Sequence, residues 1–178
     1  MTNSTIAIMG VHIYGHPCEI DELEDIARSH SVPLIFDAAH AFGSRYRGRW
    51  IGAGGLAQVF SFHATKFLNS FEGGAVVTND ESLANRIRLM KNFGFAGTDN
   101  AVSIGTNGKM HEISAAMGLT SLDCMDGLIA SNRRNYGAYR ESLGSVPGLR
   151  LLRFDEAEKN NYQYIVVEVD SDATKVSR

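Results

Sequence analysis

Apolar positions along the chain change period several times, and each change marks an element. "IAIMGVHI" is a near-continuous apolar run at the N-terminus, the pattern of a strand covered on both faces. A turn at "YGHPC" follows, and then "IDELEDIARSH", in which Ile20, Leu23, Ile26 and Ala27 share one helical face. "VPLIFD" is a second buried strand. Strand, helix and strand with short connections form a βαβ unit, for which a parallel pair and a right-handed crossover are expected.

"AQVFSF" and "GGAVVT" read as two further short strands, followed by "DESLANRIRLMKNFG" with Leu83, Ile87 and Met90 at helical spacing behind an Asp80 N-cap. "GTNG" (Gly105 to Gly108) interrupts this pattern. Beyond it one long helical stretch is expected from about His111 to Leu143, with Ile113, Met117, Leu122, Met125, Leu128, Ile129, Tyr136 and Leu143 as its buried stripe. After "SVPG" two strands are expected, "LRLLRF" and "YQYIVVEV", the second from Tyr162 to Val169, joined by the polar loop "DEAEKNN". The fold class is therefore α/β: a mostly parallel sheet with flanking helices over 1–110, a long connecting helix over 111–145, and the beginning of a small α+β domain over 146–178.

Composition narrows the partner. The 178 residues are 44% hydrophobic and carry 17 basic against 20 acidic side chains, a formal charge of −3 with no long run of either sign. That balance argues against a nucleic-acid surface or a polybasic membrane patch and favours a small-molecule partner. Cys18 and Cys124 stand far apart without a CxxC companion, which points to reduced thiols and the cytoplasm. The N-terminal apolar run has no basic residues before it and is too short to span a membrane, so a strand is the expectation there. His12 and His16 are four residues apart across a strand and turn, a spacing that gives no shared metal-binding face.

Ligands of open parallel sheets gather at the carboxyl ends of the strands. His12 and Tyr14, then Asp37 with His40, then Ser61 through Lys66 are expected at such ends. Each has an ordinary alternative: a turn cap for Asp37, a solvated loop lysine for Lys66, satisfied polar side chains for His40 and His63.

Three blocks, "FDAAHAFG", "SFHATKFLNSFEGGAVVTND" and "GTNGKMHEISAAMGLTSLD", resemble in order and spacing the signatures of the DegT/DnrJ/EryC1/StrS family. That family comprises pyridoxal 5'-phosphate (PLP) sugar aminotransferases of fold type I, and the resemblance runs over essentially the whole chain. It implies roles for particular residues. Lys66 matches the lysine that forms the internal aldimine and later shuttles the proton; Asp37 matches the carboxylate paired with the pyridine nitrogen, which keeps the ring an electron sink. His40 stands where the family has Gln or His against the cofactor ring, by stacking or by a phenolate contact. Ser61 matches a phosphate-binding hydroxyl, and Asn107 an asparagine that reaches the phosphate from a neighbouring subunit, which implies a homodimer with a shared active site.

The implied reaction transfers an amino group, with glutamate as the expected donor, to a nucleotide-linked keto-deoxy sugar. Gly73 and Gly74 would let the backbone pass close to the lysine segment. Gly108 and Lys109 depart from the aromatic and arginine usual after the asparagine. Members of this family are about twice as long, so the chain reads as truncated at both ends, with an exposed apolar patch expected where elements are absent. The contrasting expectation is a catalytically incomplete domain with a binding, structural or oligomerisation role.

Overall fold

The computed structural model describes residues 1–176. Its centre is a four-stranded sheet of order β1-β2-β5-β6, built from β1 (Ile8–Val11), β2 (Leu34–Asp37), β5 (Ala57–Ser61) and β6 (Gly74–Val77). The pairs β1/β2 and β2/β5 are parallel, with Met9 opposite Ile35 and Asp37 opposite Val59, while β6 adds antiparallel to β5, Val59 opposite Val76. The carboxyl ends of the three parallel strands therefore share one edge, the expected site of a ligand.

Helix α1 (Ile20–Ser29) crosses from β1 to β2. It buries Ile20 and Ala27 against Leu34, Phe36 and Phe60, with Leu23 packed beside them and Ile26 left exposed. Between β2 and β5 lies a hairpin absent from the sequence expectation, β3 (Arg45–Tyr46) and β4 (Arg49–Trp50). Its Arg47-Gly48 turn has positive φ at both positions, the mirror-image geometry that matches strand twist. Helix α2 (Glu81–Met90) begins as expected at Asp80, whose carboxylate accepts the Leu83 N–H at 2.8 Å.

The single long helix expected over 111–145 is two: α3 (Glu112–Asp123) and α4 (Met125–Leu143), bent by 63° at Cys124. The two halves are fastened to different partners. Ser121 Oγ donates to the Asn69 carbonyl at 2.8 Å, whereas Ile129 and Tyr136 of α4 pack with Phe154 and Tyr162. Thr120 also bonds back to the Ala116 carbonyl at 3.0 Å, a contact that bends helices. Of the expected stripe only Ile129 and Tyr136 are buried; Ile113 and Leu122 are exposed. Among the described residues no single helix is long and apolar enough to cross a membrane.

The C-terminal strand expected from Tyr162 is also shorter. β8 (Val167–Val169) pairs antiparallel with β7 (Leu149–Leu151), the ladder ends on the Val166 carbonyl, and residues 160–165 leave it. A four-residue helix, α5 (Ser171–Thr174), follows.

Candidate active site

Asp37 closes β2 at the carboxyl edge. Its Oδ1 accepts the Ala39 N–H at 2.9 Å, so the turn-capping role occupies one oxygen. Oδ2 has no hydrogen-bond partner among the described residues and is available to a cationic N–H.

His40 follows in the same turn and is held from two sides. The Tyr14 N–H donates to its Nδ1 at 3.1 Å, and Asn161 Nδ2 donates to its carbonyl at 2.8 Å. Because Nδ1 accepts, the neutral ring carries its proton on Nε2, which is left to donate. Burial holds the His40 pKa below the usual histidine value; the Lys66 charge pushes it the same way and Asp37 opposes both. Tyr14 takes a left-handed conformation, φ 56°, to aim that N–H.

Lys66 sits on a loop pinched shut at its base. Phe62 N–H donates to the Gly73 carbonyl and Ser70 N–H to the Phe62 carbonyl, both at 2.9 Å. The pinch needs glycine: a Cβ on Gly74 would lie 2.6 Å from the Phe60 carbonyl oxygen. This agrees with the close backbone passage expected of "EGG". Within the loop, Lys66 N–H closes a turn on the His63 carbonyl and Asn69 Nδ2 donates to the Lys66 carbonyl at 3.2 Å. The side-chain amine then donates to Tyr164 Oη at 3.3 Å.

Tyr164 was not foreseen as a site residue. Its ring lies 4.5 Å from that of His40 and 5.7 Å from that of Tyr14, centroid to centroid, so three rings form a wall beside the Lys66 amine. The signal in the sequence was the polar-aromatic cluster "NNYQY" opening an otherwise apolar strand.

Ser61 ends β5 on the sheet face that Asp37 shares, because Asp37 is opposite Val59, two residues earlier on the same strand. Its Oγ accepts the His63 N–H at 3.3 Å, leaving the hydroxyl proton free. The fifth expected residue, Asn107, lies apart. It is exposed on a loop tied to the end of α2, where Thr106 N–H donates to the Met90 carbonyl and Gly108 N–H to the Lys91 carbonyl, both at 2.8 Å. Within one chain, Asp37, His40 and Lys66 thus converge through Tyr14 and Tyr164, Ser61 stands on the adjacent strand end, and Asn107 touches none of them.

An amine, a carboxylate with one free oxygen and a histidine presenting N–H at the carboxyl edge of a parallel sheet define a class of site, and the fold carrying it is that of the PLP fold type I aminotransferases. The family model for the "DegT/DnrJ/EryC1/StrS aminotransferase family" matches residues 1–178, and the chain belongs to that family. A dTDP-4-amino-4,6-dideoxy-D-glucose transaminase from Shigella dysenteriae is 38% identical over 172 residues, 97% of this chain and 47% of that protein. A dTDP-3-amino-3,4,6-trideoxy-alpha-D-glucose transaminase from Streptomyces venezuelae is 39% identical over 85% of this chain and 40% of that protein. The crystal structure of DesI in the presence of its TDP-sugar product superposes with a TM-score of 0.93 at 50% identity, over 100% of this chain and 45% of DesI. The chain spans about half the length of the relatives it matches.

Proposed function

We propose that this chain carries the lysine and the ring-binding residues of a PLP-dependent aminotransferase that moves an amino group, with glutamate as donor, onto a nucleotide-linked keto-deoxy sugar. The observation that carries this reading is the placement of the Lys66 amine beside His40, itself next to Asp37, at the carboxyl edge of the sheet. The named activities of the relatives support the sugar-nucleotide class of substrate.

The donor set fits the ring end of the cofactor. PLP, when bound, supplies an electron sink next to the carbon whose proton is moved. Asp37 Oδ2 would accept a proton-bearing ring nitrogen and keep it charged. His40 Nε2–H would donate to an anionic oxygen on the ring, in a tautomer already fixed by the Tyr14 N–H. The Ser61 hydroxyl would donate to the phosphate. Lys66 Nζ would take the proton from the substrate carbon and return it two bonds away, across the intervening nitrogen, acting as base and then acid from one position. Asn107, exposed and away from this cluster, suits a contact with the phosphate in a second copy, the arrangement of a homodimer with shared sites.

The test is direct. Titrating the protein with PLP should produce a visible absorbance band, and borohydride reduction should fix the cofactor on Lys66, read by peptide mass. Lys66→Ala should abolish both. If no Lys66-dependent band forms, the reading fails for this chain. Glutamate-dependent amination of dTDP-linked 3-keto and 4-keto hexoses then decides the substrate.

A further inference from the structure

The expected strand "YQYIVVEV" surrenders its first half. The β7/β8 ladder ends at the Leu152 N–H to Val166 carbonyl bond, and residues 160–164 instead run to the site. A segment with this much β-propensity leaves a ladder only if other contacts replace the lost ones.

They do, and they cluster around one side chain. Asn161 is fully buried and donates from Nδ2 to the carbonyls of His40 (2.8 Å) and Phe42 (3.1 Å), while its own carbonyl accepts from Asn132 Nδ2 (3.1 Å). Asn161 Oδ1 accepts the Gln163 N–H at 3.1 Å, and Gln163 Nε2 donates to the Thr65 carbonyl at 3.3 Å. Tyr162 between them adopts φ 51°, a left-handed conformation unusual for an aromatic residue. The join is tight: a Cβ on Gly15, φ 85°, would lie 2.9 Å from Asn161 Oδ1 and 3.0 Å from the His40 carbonyl oxygen. The segment is thus nailed to the His40 turn by Asn161 and to the Lys66 loop by Gln163, and the next residue is Tyr164, whose Oη accepts from Lys66 Nζ.

We propose that Tyr164 is a positioning residue for Lys66, its phenolic oxygen holding the amine against the His40 ring whenever that amine is not covalently engaged. A lysine side chain has four rotatable bonds and loses much of its rotamer freedom when fixed. An acceptor pinned from both flanking loops supplies that order before any ligand arrives. The hydrogen bond stands on this chain's own geometry; its consequence for cofactor capture rests on the function proposed above.

Reductive methylation with isotopically labelled formaldehyde tests the contact without cofactor, since dimethylated Lys66 keeps one N–H. In the wild-type chain the two methyl groups of Lys66 should give distinct NMR resonances, because the amine is held. In Tyr164→Phe they should merge, with far-UV circular dichroism unchanged, and Asn161→Ala should weaken the distinction in the same direction. The reciprocal variant Lys66→Met should shift the Tyr164 ring carbon bearing the hydroxyl, a readout that survives even if Tyr164→Phe folds poorly. With PLP added, Tyr164→Phe should form the Lys66-dependent absorbance band about tenfold more slowly, because the amine is no longer held in one place when the cofactor arrives. Identical Lys66 signals in wild type and Tyr164→Phe, or an unmoved Tyr164 resonance in Lys66→Met, overturn the proposal. Absence of any Lys66-dependent absorbance in the wild type overturns the PLP reading instead and leaves the methylation result to decide Tyr164.

Discussion

Alternate residues of the same four strands meet opposite surroundings. On one face Leu34, Phe36 and Phe60 lie under α1 and the β3/β4 region, and Phe36 is 1% exposed. On the other, Val11, Asp37, Val59 and Val76 form a cross-strand row by register, and Val59 and Val76 are 45% and 44% exposed. Met9, in the neighbouring row, is 64% exposed. Helix α2 does not close this side. It buries no residue, and between it and β5/β6 runs a groove of about 790 Å³ lined by Val59, Val76, Ala84, Ile87 and Met110. That groove contains none of Asp37, His40 or Lys66.

The hydrophobic pattern and the packing are therefore separate facts. Strands apolar at nearly every position are the pattern of sheets covered on both faces. In this chain one face is packed and the other presents the apolar patch expected from the sequence. Asp37 and Ser61 share the open face, so the polar ends of the strands stand at the margin of an apolar surface.

Phe36 is the largest fully buried side chain of the covered face. Phe36→Ala should cost about 3–5 kcal/mol in chemical denaturation, the price of an aromatic cavity in a closed core. A loss no larger than that of a surface substitution would mean that the covered face is not packed as described.

Acid should loosen the same face next. His12 is 1% exposed, stacks on Phe36 at 5.0 Å and accepts the Cys18 N–H at Nδ1. Burial, partly offset by the Gln58 side chain and by the Asp37 charge, lowers its pKa to about 4. The unfolded chain takes up this proton near 6.5 and the folded chain only near 4, so the stabilisation is complete above pH 6.5 and is lost as pH falls towards 4. The loss is at most about 3 kcal/mol. His16 and His40, also lowered by burial, add in the same direction. His12→Asn, which keeps an acceptor but does not titrate, should flatten this part of the pH dependence of melting temperature.

The smallest effect belongs to the open face. Val59→Thr with Val76→Thr should leave unfolding free energy within about 0.5 kcal/mol, as surface substitutions do, while lowering the binding of a hydrophobic dye. A large destabilisation would show that this face is covered after all.

Much of this was legible in the residues. The βαβ unit, the Asp80 cap and the strand ends bearing Asp37 and Ser61 follow from local periodicity and turn chemistry, which act over a few residues. Expectation failed where distant anchors decide. The helix over 111–145 bends because Ser121 is tied to the Asn69 loop while Ile129 and Tyr136 serve another core. Periodicity carries no record of such ties. Tyr162 to Val166 has the composition of a strand, yet Asn161 and Gln163 draw its start away to bonds with residues some hundred positions earlier.

Local pattern and motif were enough for the α/β class, the family, and the amine, carboxylate and hydroxyl expected at strand ends, because they are properties of short stretches of chain. Which of them meet is set by the folding of remote segments onto one another. That folding brought Tyr164 to Lys66 across 98 positions and set the His40 tautomer through the Tyr14 N–H. It also kept Asn107 out of the cluster and left one sheet face open. Those outcomes depend on hydrogen bonds and packing between segments remote in sequence.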